Sequence, residues 1–214
     1  TRLGSGAVGN GPALMLLPPV LDTLGRELPL DGLAWDDSPA PQAAVLVALT
    51  EEAQPRVILG RRAANLTLHP GEVAFPGGKR EPEDAGPWVT ARREAFEEVG
   101  LQAPDVHALG ELVPLYTRHG YEVHPCVARV ATEPEIIVDR REFDSVFLAP
   151  MAAFADPGNF RVEAMPYGET IRRVPFYEVD GDTIWGVTAV VLAQLANIAY
   201  NAGLDLQRNW TENS

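Results

Sequence analysis

The chain reads as a mixed α/β protein. Short apolar runs of strand length recur at residues 43–50, 56–61, 123–130 and 145–149, and they alternate with segments of helical spacing at 88–98 and 187–201. Interspersed rather than segregated, these runs specify a sheet with helices packed on it. Residues 1–12 are Gly-rich and read as a flexible N-terminal arm, leaving 13–214 as a single domain. Residues 13–26 are weakly helical and interrupted by Pro18-Pro19, and 31–41 form a polar loop. The strands 43–50 and 56–61 are joined by Glu51-Glu52-Ala53-Gln54-Pro55, a hairpin-like turn. Residues 106–116 and 123–130 pair across the loop 117–122, and 169–179 supplies a further strand. The apolar helix 187–201 covers the sheet.

Composition narrows the function classes. A net charge of −13 argues against nucleic acid and anionic membranes as partners, because phosphate contacts need basic surface. An anionic small molecule remains compatible, since local arginines and metal ions set the field at a site. The one cysteine, Cys126, excludes an intrachain disulfide and fits a reducing, cytoplasmic compartment. In V-H-P-C-V-A-R-V it reads as an inert thiol buried on a strand. Apolar runs such as 43–49 are too short to cross a bilayer, and the N-terminal residues carry no charged n-region, so no secretion signal is expected.

The densest chemical signal lies between Phe75 and Leu101, F-P-G-G-K-R-E-P-E-D-A-G-P-W-V-T-A-R-R-E-A-F-E-E-V-G-L. A Gly-rich turn precedes a helix on which Glu94, Glu97 and Glu98 fall within about a third of the circumference. Like charges at this spacing repel. A divalent cation removes the repulsion, and carboxylate oxygens suit Mg²⁺ or Mn²⁺. Arg93 can hold a neighbouring carboxylate bidentately, Pro87 fits the first helical turn, and Gly100 fits the C-terminal cap.

Arg93-Glu94-Ala95-Phe96-Glu97-Glu98-Val99-Gly100-Leu101 resembles the second half of the Nudix box, R-E-U-x-E-E-x-G-U. The first half departs from that family's spacing of Gly, five residues, Glu, seven residues, Arg. Counting from Gly77 reaches Glu83 and from Gly78 reaches Asp84, and neither is seven residues from Arg93, so the acid that partners Arg93 stays open between them. The resemblance implies an α/β/α sandwich, with a mixed sheet between helices. It further implies metal-dependent hydrolysis of a nucleoside diphosphate linked to another group. Carried over, Glu97 and Glu98 are metal ligands, and Glu94 is a ligand or the base that activates water. Arg93 orients the carboxylates, and the Gly78 carbonyl completes the metal shell.

Upstream, Val57-Ile58-Leu59-Gly60-Arg61-Arg62 leads into Leu66-Thr67-Leu68-His69-Pro70-Gly71-Glu72-Val73-Ala74 and the F-P-G-G turn. These segments resemble the extra signature of the coenzyme A diphosphatase branch of the Nudix enzymes, with Arg62, Gly71 and Phe75 to Gly78 at matching positions. Gly60-Arg61, Ala63 and Thr67 depart from it, Thr67 standing where the branch carries Arg. Thr117, Gly120, Val123 and Pro125, and Ile184-Trp185-Gly186-Val187-Thr188-Ala189, resemble two later segments of the branch. The implied substrate is coenzyme A or a derivative, cut to 3′,5′-ADP and 4′-phosphopantetheine. Arg61, Arg62, His69, Arg80 and Arg118 are the candidate substrate contacts. Lys79 and Arg92 are read as solvated charges, His119 as a loop residue able to approach substrate, and His107 and His124 as structural. Among acids outside the box, Glu72, Glu111, Glu142 and Asp144 are candidates for a further metal ligand, with Glu72 and Glu111 favoured. Two alternatives stand beside this reading: a Nudix hydrolase of another dinucleotide such as NADH or ADP-ribose, and a nonhydrolytic nucleotide-sensing module. The sequence leaves oligomeric state open, a homodimer included.

Overall fold

The computed structural model describes residues 17–32 and 34–207. The N-terminal arm and the first residues of the weak helical segment lie outside that range. At the centre is strand β1 (Gln42–Thr50), parallel to β7 (Glu122–Val130) from Gln42↔Glu122 to Thr50↔Val130. On its other edge β1 meets β2 (Arg56–Arg62) at Leu49↔Val57, after which the two strands diverge. The wedge between them is filled by one passing segment. Its first part, β3 (Val73–Ala74), pairs with β2, and its second, β4 (Gly77–Lys79), pairs with the N-terminal half of β1. The far edge of β2 carries β8 (Phe143–Pro150). Strands β5 (His107–Glu111) and β6 (Leu115–Tyr116) both run antiparallel to β7. A second, three-stranded antiparallel sheet is built from β9 (Phe160–Tyr167), β10 (Thr170–Val179) and β11 (Asp182–Trp185).

The main sheet is buried on both faces, which explains why β1 is a continuous apolar run rather than an alternating one. Its odd positions Val47 and Leu49 join one core with Val57, Leu59 and Val127. Its even positions Ala44, Leu46 and Ala48 join the other with Ile58, Cys126 and Ala128. Helix α1 (Pro19–Glu27) and helix α3 (Gly186–Tyr200) cover the first face through Leu21, Leu24, Val190 and Leu192. Helix α2 (Pro87–Val99) covers the second through Trp88, Ala91, Ala95 and Val99, an i, i+3, i+7, i+11 stripe. The expected α/β/α sandwich is therefore present. Truncating a side chain such as Leu46, which is fully buried, costs about 2–5 kcal/mol in sites of this kind.

Several elements differ from the sequence expectation. Residues 106–116 do not form one strand: they break into β5 and β6 at 112–114, where Pro114 has no N–H for the ladder, and β5 itself carries a register shift against β7 between Ala108 and Gly110. The first helix starts at Pro19, where a proline at N1 costs no hydrogen bond. The hairpin joining β1 and β2 is antiparallel as expected but splays at once. Strands β3, β4, β9 and β11 carried no readable pattern. β9 is largely exposed, so no periodic burial marks it, and β3 and β4 are too short to show alternation.

Candidate active site

Helix α2 is held by its ends. Pro87 occupies the first turn, and Gly100 caps the last at φ 77°, a left-handed conformation that glycine adopts without strain. The Gly100 N–H reaches Phe96 O at 3.0 Å and the Leu101 N–H reaches Ala95 O at 3.3 Å, a Schellman closure. With Ala91, Ala95 and Val99 pressed to the sheet, Glu94 and Glu98 fall along the edge of the buried face and Glu97 points outward. Glu98 is only 5% exposed, whereas the Glu97 side chain is 55% exposed.

The two inner carboxylates lie on the Gly77-Gly78 turn of β4. The Gly77 N–H donates to Glu98 Oε2 at 2.9 Å. A Cβ at Gly78 would overlap the Glu94 carboxylate, so the second glycine of F-P-G-G is what lets helix and turn approach. This is the contact that ties the Gly-rich turn to the acidic helix.

Arg93 is the hub of the outer layer. Its Nη2 donates to Asp84 Oδ2 at 2.8 Å and its Nε to Asp84 Oδ1 at 3.3 Å. Nη1 reaches Glu94 Oε1 at 3.0 Å, and Nη2 also reaches the Lys79 carbonyl at 3.1 Å. Glu97 Oε2 lies 3.5 Å from Nη1. Asp84 is the acid that pairs with Arg93: it is 5% exposed, while Glu83 is exposed. Thr90 Oγ1 and the Glu81 N–H also donate to Asp84 Oδ2, at 2.6 and 3.0 Å. The Arg93 guanidinium and these donors hold the Asp84 carboxyl down at about 2.

The inner acids are shifted the other way. Burial pushes the Glu98 carboxyl up to about 8, with the charges of Glu94 and Glu142 adding to it. Burial likewise raises Glu94, against the pull of Arg93. One guanidinium thus faces a crowded set of acids, and among the described residues no cation is bonded to Glu98. Among the described residues no three acid or histidine groups converge on a common point in this arrangement. The donor chemistry nevertheless fits a hard divalent cation: oxygen ligands, with Glu98 buried and Glu94 half-buried beside Arg93. Glu94 and Glu98 would hold such an ion from the helix, and Glu97 would turn in from Arg93.

The other candidates divide. Arg61 is committed to structure: its Nε and Nη2 grip both oxygens of Asp182 on β11 at 2.7 and 2.5 Å, and its guanidinium lies 4.3 Å over the Phe147 ring. Arg62 lies near the inner acids, where its charge opposes the rise of Glu98; its Nε is buried without a partner and Nη2 is 4.0 Å from Glu142. Of the outside acids, Glu142 adds its charge to the rise of Glu98. Glu111 is used elsewhere, accepting from Trp88 Nε1 and, at 2.8 Å, from the Asp31 N–H. The Glu72 carboxylate accepts from His69 Nδ1 at 2.8 Å. Asp144 accepts from the Ala64 N–H at 3.1 Å. Arg80 bonds Gln42 Oε1 at 2.8 Å and stacks on Trp35, which ties it to the start of β1. Arg118 is exposed at the tip of the 117–121 loop, whose His119 ring meets His69 edge-on at 5.4 Å. His124 is buried against Trp35, as a structural reading expects. Sequence reasoning left Thr90 unremarked, although a hydroxyl six residues after Asp84, on the helix it precedes, was the available signal.

The NUDIX domain family matches residues 40–167, and the chain belongs to the Nudix hydrolase family, whose members generally use divalent metal ions. The uncharacterized Nudix hydrolase NudL of Yersinia enterocolitica (serotype O:8 / biotype 1B) is 35% identical over 154 residues, 72% of this chain and 79% of the relative. NudL of Yersinia pestis (strain Pestoides F) is 36% identical over 155 residues, covering 72% and 78%. The crystal structure of a NUDIX hydrolase from Alicyclobacillus acidocaldarius shares the fold, with a TM-score of 0.51 at 18% identity over 77% of this chain and 94% of that one. No helix among the described residues is long and apolar enough to cross a membrane.

Proposed function

We propose that this Nudix hydrolase cleaves the diphosphate of coenzyme A or its derivatives, with Mg²⁺ or Mn²⁺, giving 3′,5′-ADP and 4′-phosphopantetheine in a reducing, cytoplasmic setting. The observation that carries the hydrolytic part is the packing of the half-buried Glu94 and the buried Glu98 on the Gly77-Gly78 backbone. Bound there, a divalent cation supplies charge neutralisation and Lewis acidity to the diphosphate. Glu94, Glu97 and Glu98 would hold it, and the Gly78 carbonyl would be its backbone ligand. Glu94, raised by burial, would take a proton from attacking water. Arg93 fixes Glu94 in place and is fixed by Asp84. Water oxygen adds to one phosphorus, the anhydride bond to the bridging oxygen breaks, and two phosphomonoesters leave.

The coenzyme A part rests on the branch-like segments and their arrangement. The Arg62 N–H bonds Glu72 O at 2.9 Å and the Gly71 N–H bonds Arg62 O at 3.0 Å, so the two halves of the upstream signature are joined directly beside the glutamate helix. One observation favours a second reading: Thr67, where the branch carries Arg, is exposed on the same loop, which suits another dinucleotide such as NADH or ADP-ribose. Product analysis with coenzyme A, NADH and ADP-ribose decides between them. Fastest release of 3′,5′-ADP supports the coenzyme A reading, and cleavage of only NADH or ADP-ribose replaces it. Binding of nucleotide without any cleavage would favour the sensing module.

A further inference from the structure

Beside the glutamate helix the structure holds a second, positively charged feature. The 117–121 loop is preformed: the Thr117 N–H bonds Tyr121 O at 2.9 Å, the Gly120 N–H bonds Thr117 O at 3.1 Å, and the Tyr121 N–H bonds Thr117 Oγ1 at 3.1 Å. It is also braced from three sides. The His119 ring meets His69. The Lys79 Nζ lies 5.2 Å over the Tyr121 ring, and Lys79 directly follows Gly78. The Tyr167 hydroxyl, at the tip of the β9–β10 hairpin, donates to the Arg118 carbonyl at 3.0 Å. That hairpin is otherwise exposed along its outer half, so it crosses open surface to make this contact.

The charges on this braced loop are unusual for the chain. Acids outnumber Lys and Arg by 30 to 17, and Arg56, Arg61, Arg93, Arg129 and Arg161 each pair with a carboxylate. Lys79 and Arg118 have no carboxylate within ion-pair distance among the described residues. Unpaired cations on a rigid loop and on β4 beside it, in a protein whose overall field repels anions, form a local sink for negative charge.

We propose that Lys79, Arg118 and His119 form a subsite for a second anionic group of the ligand, a phosphomonoester on its nucleotide sugar, separate from the diphosphate at α2. The subsite rests on the functional reading above in that both are occupied by one ligand. Loop preorganisation lowers the ordering cost of the contact, and charge-assisted hydrogen bonds from Arg118 and Lys79 supply the discrimination.

The test is equilibrium binding of adenosine 3′,5′-bisphosphate against AMP, by calorimetry on the whole chain, for the wild type and for Arg118→Gln and Lys79→Gln. The wild type is expected to prefer the bisphosphate by on the order of tenfold, and each substitution to remove most of that preference. Equal affinity for the two ligands in the wild type, or a preference that survives both substitutions, overturns the subsite. Coenzyme A turnover is scored separately. A bisphosphate preference without coenzyme A cleavage discards the substrate and keeps the subsite, and cleavage without the preference does the reverse.

Discussion

Asp84 chelates Arg93 across nine residues, offering Oδ2 at 2.8 Å and Oδ1 at 3.3 Å to the same guanidinium. The pair anchors the loop before α2 to the helix itself, and Arg93 passes that constraint to Glu94 at 3.0 Å. An aspartate performs this role although the Nudix pattern has glutamate at a different spacing. The longer loop brings a shorter acid to the same guanidinium.

Loss of that anchor should reduce turnover without dissolving the fold. Asp84→Asn is expected to lower kcat/KM by about 10–100-fold, the usual effect of removing a partner that orients a ligand residue. Glu83→Gln, at an exposed position, should leave it within twofold. Steady-state kinetics on the two variants checks this.

The same pair gives acid stability a definite window. The Asp84 carboxyl is depressed in the folded protein, from 3.8 to about 2. Its stabilisation is therefore fully present above about pH 4 and is lost as pH falls toward 2, amounting to about 2 kcal/mol. Urea titrations between pH 5 and 2 should show Asp84→Asn losing part of the wild type's pH dependence in that window. Identical slopes for both proteins would contradict the assignment.

Glu98 should behave in the opposite sense. Its ionised form is held at a cost in the absence of metal, since burial raises the carboxyl to about 8. Glu98→Gln is expected to raise the metal-free melting temperature at pH 8, by about 2–4 °C for each kcal/mol recovered. It should also abolish the added stability that Mn²⁺ gives the wild type. Differential scanning calorimetry with and without Mn²⁺ reads both effects.

Arg61 and Arg62, adjacent in sequence, should separate cleanly. Arg61 joins the two sheets through Asp182, so Arg61→Met is expected to cost about 1.5–3 kcal/mol of stability with kcat little changed. Arg62→Ala should instead weaken substrate binding. A double-mutant cycle of Arg61→Met with Asp182→Asn, measured by urea unfolding, should show a coupling of about 1 kcal/mol or more.

How much of this was readable depended on how local the signal was. The glutamate helix, its Pro87 start and its Gly100 stop were legible because caps and periodicity sit within one segment. The apolar runs gave a mixed α/β protein, and the sandwich followed from the resemblance carried by the glutamate helix. The commitment of Arg61 was not legible, since its partner Asp182 lies on a strand 121 residues away. Nor was the role of Glu111, which is drawn off by Trp88 and the Asp31 N–H. Charged residues next to a motif look alike in sequence, and only long-range pairing sorts structural ties from site residues.

The carboxylates of α2, set on the Gly77-Gly78 turn, are the proposed hydrolytic centre. Its most direct test is turnover by Glu97→Gln and Glu98→Gln, each shown to be folded by circular dichroism, on whichever diphosphate the wild type cleaves fastest with Mg²⁺. A loss of at least about 10³-fold in kcat is the result this account predicts, on the scale of removing a principal electrostatic contributor. Turnover within twofold of the wild type in both variants would contradict it.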